Sequence, residues 1–424
     1  MKKLATLLLA AGLVLAASAP ASAGDVKLGL YNGTVAAFGD NGHMPAFGEK
    51  GFQPFNVYER IRMNFQYVAS ESLSGFVQLQ AGTGVWGEGP KFLSMNNRFF
   101  VRQAYLDWLI PNTRAQVRMG LQPLALPAAV FGNPVLDDIF AAAVVTVPVN
   151  DMFAFTLGYV RPGNNDFLGV TLDGTARWGH QGWDAYFGVA DLNANGFSFK
   201  PWAMYTKYHH DYTLGVSTGY GWWLGAAAEY TGLSPLTVSA DVMYGKGKIK
   251  DLGGAPVSAD KGWLFAAGLK YELPFGTPFL KGWYGTGEKS DSAHRMPLIS
   301  GAWDANFLYF DGALTYHDLN GITDPTGTWG VSAGIEGVSF VPGLEHMARF
   351  VYTQGTNHDF PGGVGGFIEY MTNHDKSYEF DLASTYKIYE NLTFGLELGY
   401  AINRFQNKDI KNSWEVVTSF VYNF

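Results

Sequence analysis

The sequence contains no cysteine among its 424 residues. Disulfides, zinc–thiolate sites and cysteine nucleophiles are therefore excluded. After residue 23 it also lacks any apolar run approaching the ~18 residues that a membrane-spanning helix needs, and no helical period of 3.6 residues is sustained. The formal net charge is −8, and an acidic chain is a poor candidate for binding nucleic acid, which requires a basic surface.

Aromatic residues and glycine, by contrast, are abundant. Aromatics make up 16% of the chain, and there are 53 glycines without a collagen-like repeat. A soluble chain of this length would be expected to form two or three domains. A membrane protein without spanning helices must instead be a closed β-barrel, because every backbone N–H and C=O needs a partner in lipid. Aromatic girdles and tight turns favour the barrel interpretation.

The first 23 residues have the features of a secretory signal peptide. Met1-Lys2-Lys3 is followed by an apolar run from Leu4 to Ala17 and then by the small residues Ala21-Ser22-Ala23. This order of charged, apolar and small residues is typical of a cleaved leader. We therefore predict a signal peptide at 1–23 and a single β-barrel domain at 24–424.

Alternating segments separated by turn residues fill the rest of the sequence. In the last segment Trp414, Phe420 and Phe424 share one face of an extended strand, and Ser413 and Glu415 share the other. Several earlier segments alternate in the same way, with Arg, Glu and Asp on the polar face, which a dry core would not tolerate. These polar faces predict a water-filled lumen. The connections alternate between short turns and long loops (35–55, 86–98, 123–143, 247–260, 288–300 and 355–376), and we predict an all-β, up-and-down antiparallel barrel of 16 to 18 strands.

Inward-facing arginines cluster in the first third of the chain. The alternation of side chains along each segment places four of them on the polar face: Arg60, Arg62, Arg114 and Arg118. The same alternation leaves the face of Arg102 ambiguous. Strands close in sequence are neighbours in a meander, so these side chains are expected to line one wall. The segment from Gln122 to Ala143 follows, with three prolines and the pair Asp137-Asp138. Its length and prolines predict a loop rather than a strand, and its apolar content predicts packing against the lumen.

Two motifs in this region resemble Gram-negative trimeric outer-membrane porins. The segment Val101-Arg-Gln-Ala-Tyr-Leu-Asp-Trp108 resembles a porin strand, and Arg118-Met-Gly-Leu-Gln-Pro123 resembles the strand that leads into the third porin loop. The overall pattern is most similar to the porins of sulfate-reducing bacteria, although the acidic-Gly-Gly element common in porin third loops is absent. The closing strand, with Tyr422 and Phe424, is similar to the porin signal for the barrel-assembly machinery.

The resemblance implies a function and a set of partners. It implies a homotrimer in the lipids of the outer membrane, with a third loop that folds into the barrel. The acidic residues of that loop, Asp137 and Asp138, would face a basic wall across a constriction. The basic wall consists of Arg60, Arg62, Arg114 and Arg118. Such a channel passes ions and small hydrophilic solutes by passive diffusion. The alternative is a channel specific for a sugar or for an organic or inorganic anion.

Other signals are expected to be structural. Ser217 and Ser332 match a nucleophile-elbow pattern, but no helical pattern follows either of them, so no enzyme is predicted. The run His209-His210-Asp211 could bind a metal, but no further ligand lies at a spacing that is typical of a metal site. We therefore expect neither a metal nor a cofactor. Girdle anchoring is favoured over a sugar-binding aromatic row for eight tryptophans: Trp202, Trp222, Trp223, Trp263, Trp283, Trp303, Trp329 and Trp414.

Overall fold

A computed structural model describes most of the chain after residue 24. It covers residues 25–40, 55–87, 99–163, 167–168, 177–178, 182–209, 216–251, 256–258, 260–289, 294–308, 325–358, 371–406 and 411–424. The predicted signal peptide lies outside these ranges.

Eighteen strands in these ranges form one closed antiparallel barrel. Numbered in chain order they are β1 Asp25–Asp40, β2 Phe55–Ser70, β3 Leu73–Val85, β4 Phe99–Leu109, β5 Gln116–Ala125, β6 Asp137–Pro148, β7 Phe153–Gly163, β8 Trp183–Ala194, β9 Phe197–Tyr208, β10 Val216–Leu233, β11 Leu236–Asp251, β12 Lys261–Tyr271, β13 Thr277–Gly285, β14 Thr328–Val341, β15 Leu344–Gly355, β16 Lys376–Tyr389, β17 Leu392–Arg404 and β18 Ser413–Asn423. Three short pieces are not numbered: Pro256–Ser258 pairs with the end of β11, and Phe167–Leu168 pairs with Arg177–Trp178 in a separate two-stranded sheet.

Each strand pairs with its neighbours in sequence, and β18 closes the barrel on β1. The closing register joins Phe38 to Val416 and Tyr31 to Asn423. Closure leaves no unpaired edge, which satisfies the backbone of every strand. The prediction of an up-and-down antiparallel barrel with 16 to 18 strands is confirmed. Among the described residues, no helix has the length and apolar character needed to cross a membrane.

The strands have an apolar outward face and a mixed inward face. In β12 burial alternates residue by residue: Trp263 and Phe265 are exposed, whereas Leu264 and Ala266 are buried. In β18, Phe420 is exposed on the outward face. The period-2 alternation in the sequence therefore assigns the two faces correctly in both strands.

The described residues form a large and a small buried cluster, and the small one consists of Val35, Ala37 and Val417 of β1 and β18. The large cluster draws its wall residues from strands between β6 and β17, and it also contains residues of two connecting segments, 126–136 and 294–308. Within the described ranges, β1 to β4 contribute no residue to that cluster. The inward side chains of Arg60 and Arg62 on β2 and of Arg102 on β4 are only partly buried. The uneven filling positions the candidate site between the cluster and the β2–β5 wall.

Candidate functional site: two loops and a row of arginines

Residues 126–136, which we call the first inner loop, connect β5 to β6 and lie against the inner wall of β11. The backbone N–H groups of Ala129 and Val130 donate to the two carboxylate oxygens of Asp241, at 2.8 and 2.9 Å. Asp241 is 4% exposed. Burial of a carboxylate is unfavourable unless hydrogen bonds compensate it, and the two loop amides provide that compensation. The loop is shaped from within by Asn133, whose Oδ1 accepts from the N–H of Val135 at 2.9 Å.

Residues 294–308, the second inner loop, belong to the connection between β13 and β14. They pair with the first inner loop through backbone hydrogen bonds: Ala302 N–H donates to the Asn133 carbonyl at 3.2 Å, and Asp304 N–H donates to the Phe131 carbonyl at 2.8 Å. Trp303 is buried between the loops, with its ring 5.0 Å from that of Phe131. The two loops therefore form one packed layer inside the barrel.

A second carboxylate anchors the far end of this layer. Glu379 Oε1, on β16, accepts from the N–H groups of Phe307 at 3.0 Å and Leu308 at 2.8 Å. Next to it, Arg349 Nε donates to Asp381 Oδ2 at 2.7 Å, and its guanidinium lies 4.6 Å from the Phe307 ring centroid. A carboxylate–guanidinium pair and an amide-bound carboxylate thus hold the second inner loop on the wall of β15 and β16.

Two expectations about this region are wrong. The acidic residues on the polar faces of the strands were expected to face a water-filled lumen, but Asp241, Glu379 and Asp381 are buried under the inner loops. The connection at 288–300 was expected to be a long outer loop, yet residues 294–308 pack inside the barrel. Its apolar content (Met296, Leu298, Ile299 and Trp303) is the sequence signal that could have indicated this packing.

The proposed loop at 122–143 is also shorter than expected. Strand β5 continues to Ala125 and β6 begins at Asp137, so that Pro123 lies in the ladder opposite Ile139. Proline is compatible with a strand where its missing N–H is not required by the partner. Only residues 126–136 form the connection.

The arginine row lies on the opposite side of the lumen. Arg60 Nη2 donates to Thr83 Oγ1 at 2.8 Å, and Arg62 Nε donates to Gln80 Oε1 at 2.9 Å. These bonds join β2 to β3. Because the donors and acceptors are lumen-facing side chains of adjacent strands, they orient the guanidinium groups along the wall.

Arg102 joins the row because of an irregularity in β4. The β3–β4 register shifts between Gln78 and Leu79, so that Gln78 stands opposite Gln103 while Arg102 Nη1 also donates to Gln78 Oε1, at 2.8 Å. A bulge of this kind turns one extra residue toward the same face. Sequence parity could not assign the facing of Arg102 because parity assumes a regular strand.

Arg118 and Arg114 occupy different positions. Arg118 lies on the inward face of β5, where its Nε donates to Asp107 Oδ1 at 2.7 Å and its guanidinium stacks 4.6 Å from the Tyr105 ring. Arg114 lies in the turn before β5, where it is 60% exposed and 3.6 Å from Asp151 in the next turn. The structure therefore brings Arg60, Arg62 and Arg102 together. Arg118 lies on the same wall but nearer to the turn that precedes β5, and Arg114 lies in that turn, at the end of the barrel.

The two predicted acidic residues are adjacent at the start of β6 but point to opposite faces, as successive strand residues do. Asp138 is exposed, accepts a hydrogen bond from Ser300 Oγ at 2.9 Å, and interacts electrostatically with Arg102. Asp137 is half-buried, and its N–H donates to the Ser300 carbonyl at 2.7 Å. Of the pair, Asp138 is the carboxylate that faces the arginine row.

Four of the eight tryptophans are inside the barrel rather than in an outer girdle. Trp202, Trp223, Trp283 and Trp303 are buried in the interior cluster. Trp223 Nε1 donates to the Pro297 carbonyl at 2.7 Å, which ties β10 to the second inner loop. The girdle interpretation is wrong for these four, whereas Trp263 is exposed on the outward face.

The motifs expected to be structural lie in strands or at strand ends. Ser332 is buried within β14, and Ser217 lies within β10. His209 follows β9, and its Nε2 lies 3.0 Å from Asp184 Oδ2; His210 and Asp211 lie outside the described residues. Searched over the described ranges alone, the structure shows no cluster of three or more acidic or histidine side chains able to hold a metal.

Solved structures share this architecture, although their sequences are distant. OpdL of Pseudomonas aeruginosa aligns with a TM-score of 0.59 at 14% identity, over 94% of this chain and 99% of that one. A BenF-like porin from Pseudomonas fluorescens Pf-5 aligns with a TM-score of 0.58 at 11% identity, over 94% and 99%. OpdK of P. aeruginosa, solved with vanillate, aligns with a TM-score of 0.57 at 12% identity, over 94% and 98%. No family model and no curated protein sequence matches the chain.

The chain has the outer-membrane porin fold. At these identities the similarity establishes the architecture alone. These neighbours are porin channels rather than enzymes. All three come from Pseudomonas, so the finer resemblance to porins of sulfate-reducing bacteria stays a prediction.

Proposed function

We propose that this protein is an outer-membrane porin through which ions and small hydrophilic solutes diffuse passively. One observation carries the proposal: the large interior cluster occupies the β6–β17 side, while the inward side chains of Arg60, Arg62 and Arg102 stay partly accessible. A closed barrel with an accessible polar strip on one inner wall provides a continuous hydrated path.

The path is narrowed between the first inner loop and the arginine row. Asp138, the second residue of β6, interacts electrostatically with Arg102 of the arginine row. Opposed charges across a narrow hydrated passage produce a transverse field that favours small polar solutes, and the balance of charge sets the preferred ion. This arrangement supports the charged constriction, with Arg114 and Asp137 outside its narrowest part.

A second candidate function is a channel selective for small anions. Arg60, Arg62 and Arg102 donate to the uncharged groups Thr83, Gln80 and Gln78. Such hydrogen bonds orient a guanidinium without neutralising it, and guanidinium groups that share one wall attract anions. OpdK was solved with vanillate, a carboxylate. Both facts favour anionic solutes over sugars within this alternative.

Reversal potential in a planar bilayer under a KCl gradient tests both functions. The test compares the wild type with the triple variant Arg60→Gln/Arg62→Gln/Arg102→Gln, with Arg114→Gln as the matched control because that arginine lies in an exposed turn. A unit charge about 4–10 Å from a passing ion contributes roughly 0.4–1 kcal/mol in water-like surroundings, so losing three charges should lower the preference for chloride by about tenfold.

The outcomes separate the candidates. Ohmic steps without saturation by any solute support general diffusion, and saturation or block by a small carboxylate supports the selective channel. Absence of conductance in the wild type contradicts both. An equal shift in Arg114→Gln and in the triple variant would contradict the location of the constriction.

The outer membrane as location, its lipids and the assembly machinery as partners, and a homotrimeric state belong to the same proposal. The porin fold supports the location, and the exposed aromatic outward face is suited to lipid contact. Cross-linking of the protein in native membranes would test the trimer: a band of three chains is expected, and a single chain at all cross-linker concentrations would contradict it.

A further inference from the structure

The two inner loops are attached to the barrel wall by the same device. In each case one buried wall carboxylate accepts the N–H groups of two successive loop residues: Asp241 accepts from Ala129 and Val130, and Glu379 accepts from Phe307 and Leu308. The attachments lie at opposite ends of the layer that the paired loops form. The layer is therefore fixed at two points on different walls.

The surroundings of these carboxylates indicate that they serve the loops and not the wall. Asp241 stands between Ala227 on β10 and Ala266 on β12, and both alanines are small and apolar. An alanine offers neither a hydrogen bond nor a charge to a carboxylate. A buried carboxylate without polar partners is strongly unfavourable, so the loop amides are required for its burial.

Glu379 has a similar setting. Its cross-strand neighbours are Val351 on β15 and Ala401 on β17, and both are buried and apolar. Its Oε1 is directed to the loop amides, beside the Arg349–Asp381 pair. A carboxyl oxygen accepts backbone N–H groups whether or not the group is ionised, so the two amide hydrogen bonds attach this end of the layer to the wall.

We infer that Asp241 and Glu379 are positioning residues that hold the two inner loops in the barrel and thereby set the size limit of the channel. The inference rests on the proposed function as a channel. The position of the loops decides how much of the lumen next to the arginine row is open, so a loop that leaves the wall changes the width of the passage. Neither carboxylate needs to touch a solute to do this.

Asp241→Asn and Glu379→Met, alone and combined, test the inference. The first exchanges one of the two Asp241 acceptor oxygens for an amide nitrogen, which cannot accept from a backbone N–H. The second keeps a side chain of similar length but removes the oxygen that accepts from Phe307 and Leu308. Glu336→Gln is the matched control, because Glu336 Oε1 accepts from Lys270 Nζ of another wall strand at 2.6 Å and not from a loop.

We expect each loop variant to increase the fraction of time that its loop is detached by about tenfold, which corresponds to roughly 1.4 kcal/mol. Liposome swelling should then show entry of oligosaccharides that the wild type excludes, and single-channel records should show larger and noisier conductance. Glu336→Gln should keep the wild-type size limit. An unchanged size limit in the folded double variant would overturn the inference, whereas a wild type that passes no solute would overturn the proposed function instead.

Hydrogen–deuterium exchange provides a second test. It uses the wild-type protein, so its result does not depend on whether a variant folds. Peptides covering 126–136 and 294–308 should exchange as slowly as peptides from the barrel strands. Exchange of both segments at the rate of unprotected amides would overturn the inference, because anchored loops must protect the four amides bound to Asp241 and Glu379.

Discussion

Replacing Arg349 by methionine is expected to destabilise the protein strongly. The Arg349 side chain is 7% exposed, and its Nε lies 2.7 Å from an oxygen of Asp381, whose side chain is fully buried. The variant leaves that carboxylate, and the neighbouring Glu379, without a cation. Removing one partner of a buried ion pair generally costs about 3–5 kcal/mol, because the other charge stays buried and uncompensated.

The remaining contacts of Arg349 are smaller in effect. Asp304 lies 3.2 Å from Nη1, but its side chain is 60% exposed, and such pairs contribute about 0–1 kcal/mol. The cation–π contact with Phe307 adds roughly 0.5–2 kcal/mol. The buried pair with Asp381 therefore dominates, and we expect a total loss of about 3–5 kcal/mol in the free energy of unfolding.

Urea unfolding of the refolded protein in lipid, followed by tryptophan fluorescence, measures this loss. Asp304→Asn should lose less than about 1 kcal/mol. The double variant Arg349→Met/Asp381→Leu should be more stable than Arg349→Met alone, because both charges are then absent. Equal losses for Arg349→Met and Asp304→Asn, or a loss below about 1 kcal/mol for the former, would refute the reasoning, since the pair would then be screened by water and not covered by the second inner loop.

Three further predictions concern packing, backbone and assembly. Trp303→Ala should cost about 3–5 kcal/mol in urea unfolding, because the indole is buried against Phe131 between the inner loops; a loss below about 1 kcal/mol would contradict that packing. Gly120→Ala should reduce the heat-modifiable folded fraction on gels, because the residue has φ +131° and an added Cβ would clash with the Ala104 carbonyl oxygen. A normal folded fraction would show that the strand relaxes there. Phe424→Ala should lower the amount of barrel assembled in cells but leave refolding of the purified chain unchanged. The Phe424 side chain is 77% exposed, and its backbone N–H and C=O, which the variant keeps, bond to β1. An equal loss in both assays would make the role of the Phe424 side chain structural.

The barrel itself could be predicted from the sequence because its signal is local. The alternation in β12 and β18 has a period of two residues, and each segment carries it without reference to any other. The alternation therefore placed Phe420 on the apolar, outward face of β18 and Glu415 on its polar, inward face. Where a strand is irregular the same argument fails, as it does at the β4 bulge beside Arg102.

The content of the lumen could not be predicted in this way. The bonds from Ala129 and Val130 to Asp241 join residues more than 100 positions apart, and no periodic pattern encodes such a pairing. A short apolar segment between strands is compatible with an outer loop, an inner loop or a subunit contact. The tryptophans show the same ambiguity, since both a lipid girdle and a buried interior accept an indole ring, and only the fold places Trp223 and Trp283 inside.

Inward-facing charged side chains in this barrel differ in what supports them, as their neighbours on the adjacent strands show. Asp241 and Arg62 illustrate the difference. Asp241 lies between Ala227 and Ala266, which leave room for another segment and offer no polar contact, so the carboxylate is covered by a loop. Arg62 instead donates to Gln80 of the adjacent strand, which orients its charge within the wall itself. A charge supported by its own wall needs no loop above it and can face water, whereas a charge among alanines requires one. At Asp241 the first inner loop lies where the wall is apolar around a carboxylate, whereas in the arginine row the adjacent strand itself supplies polar neighbours.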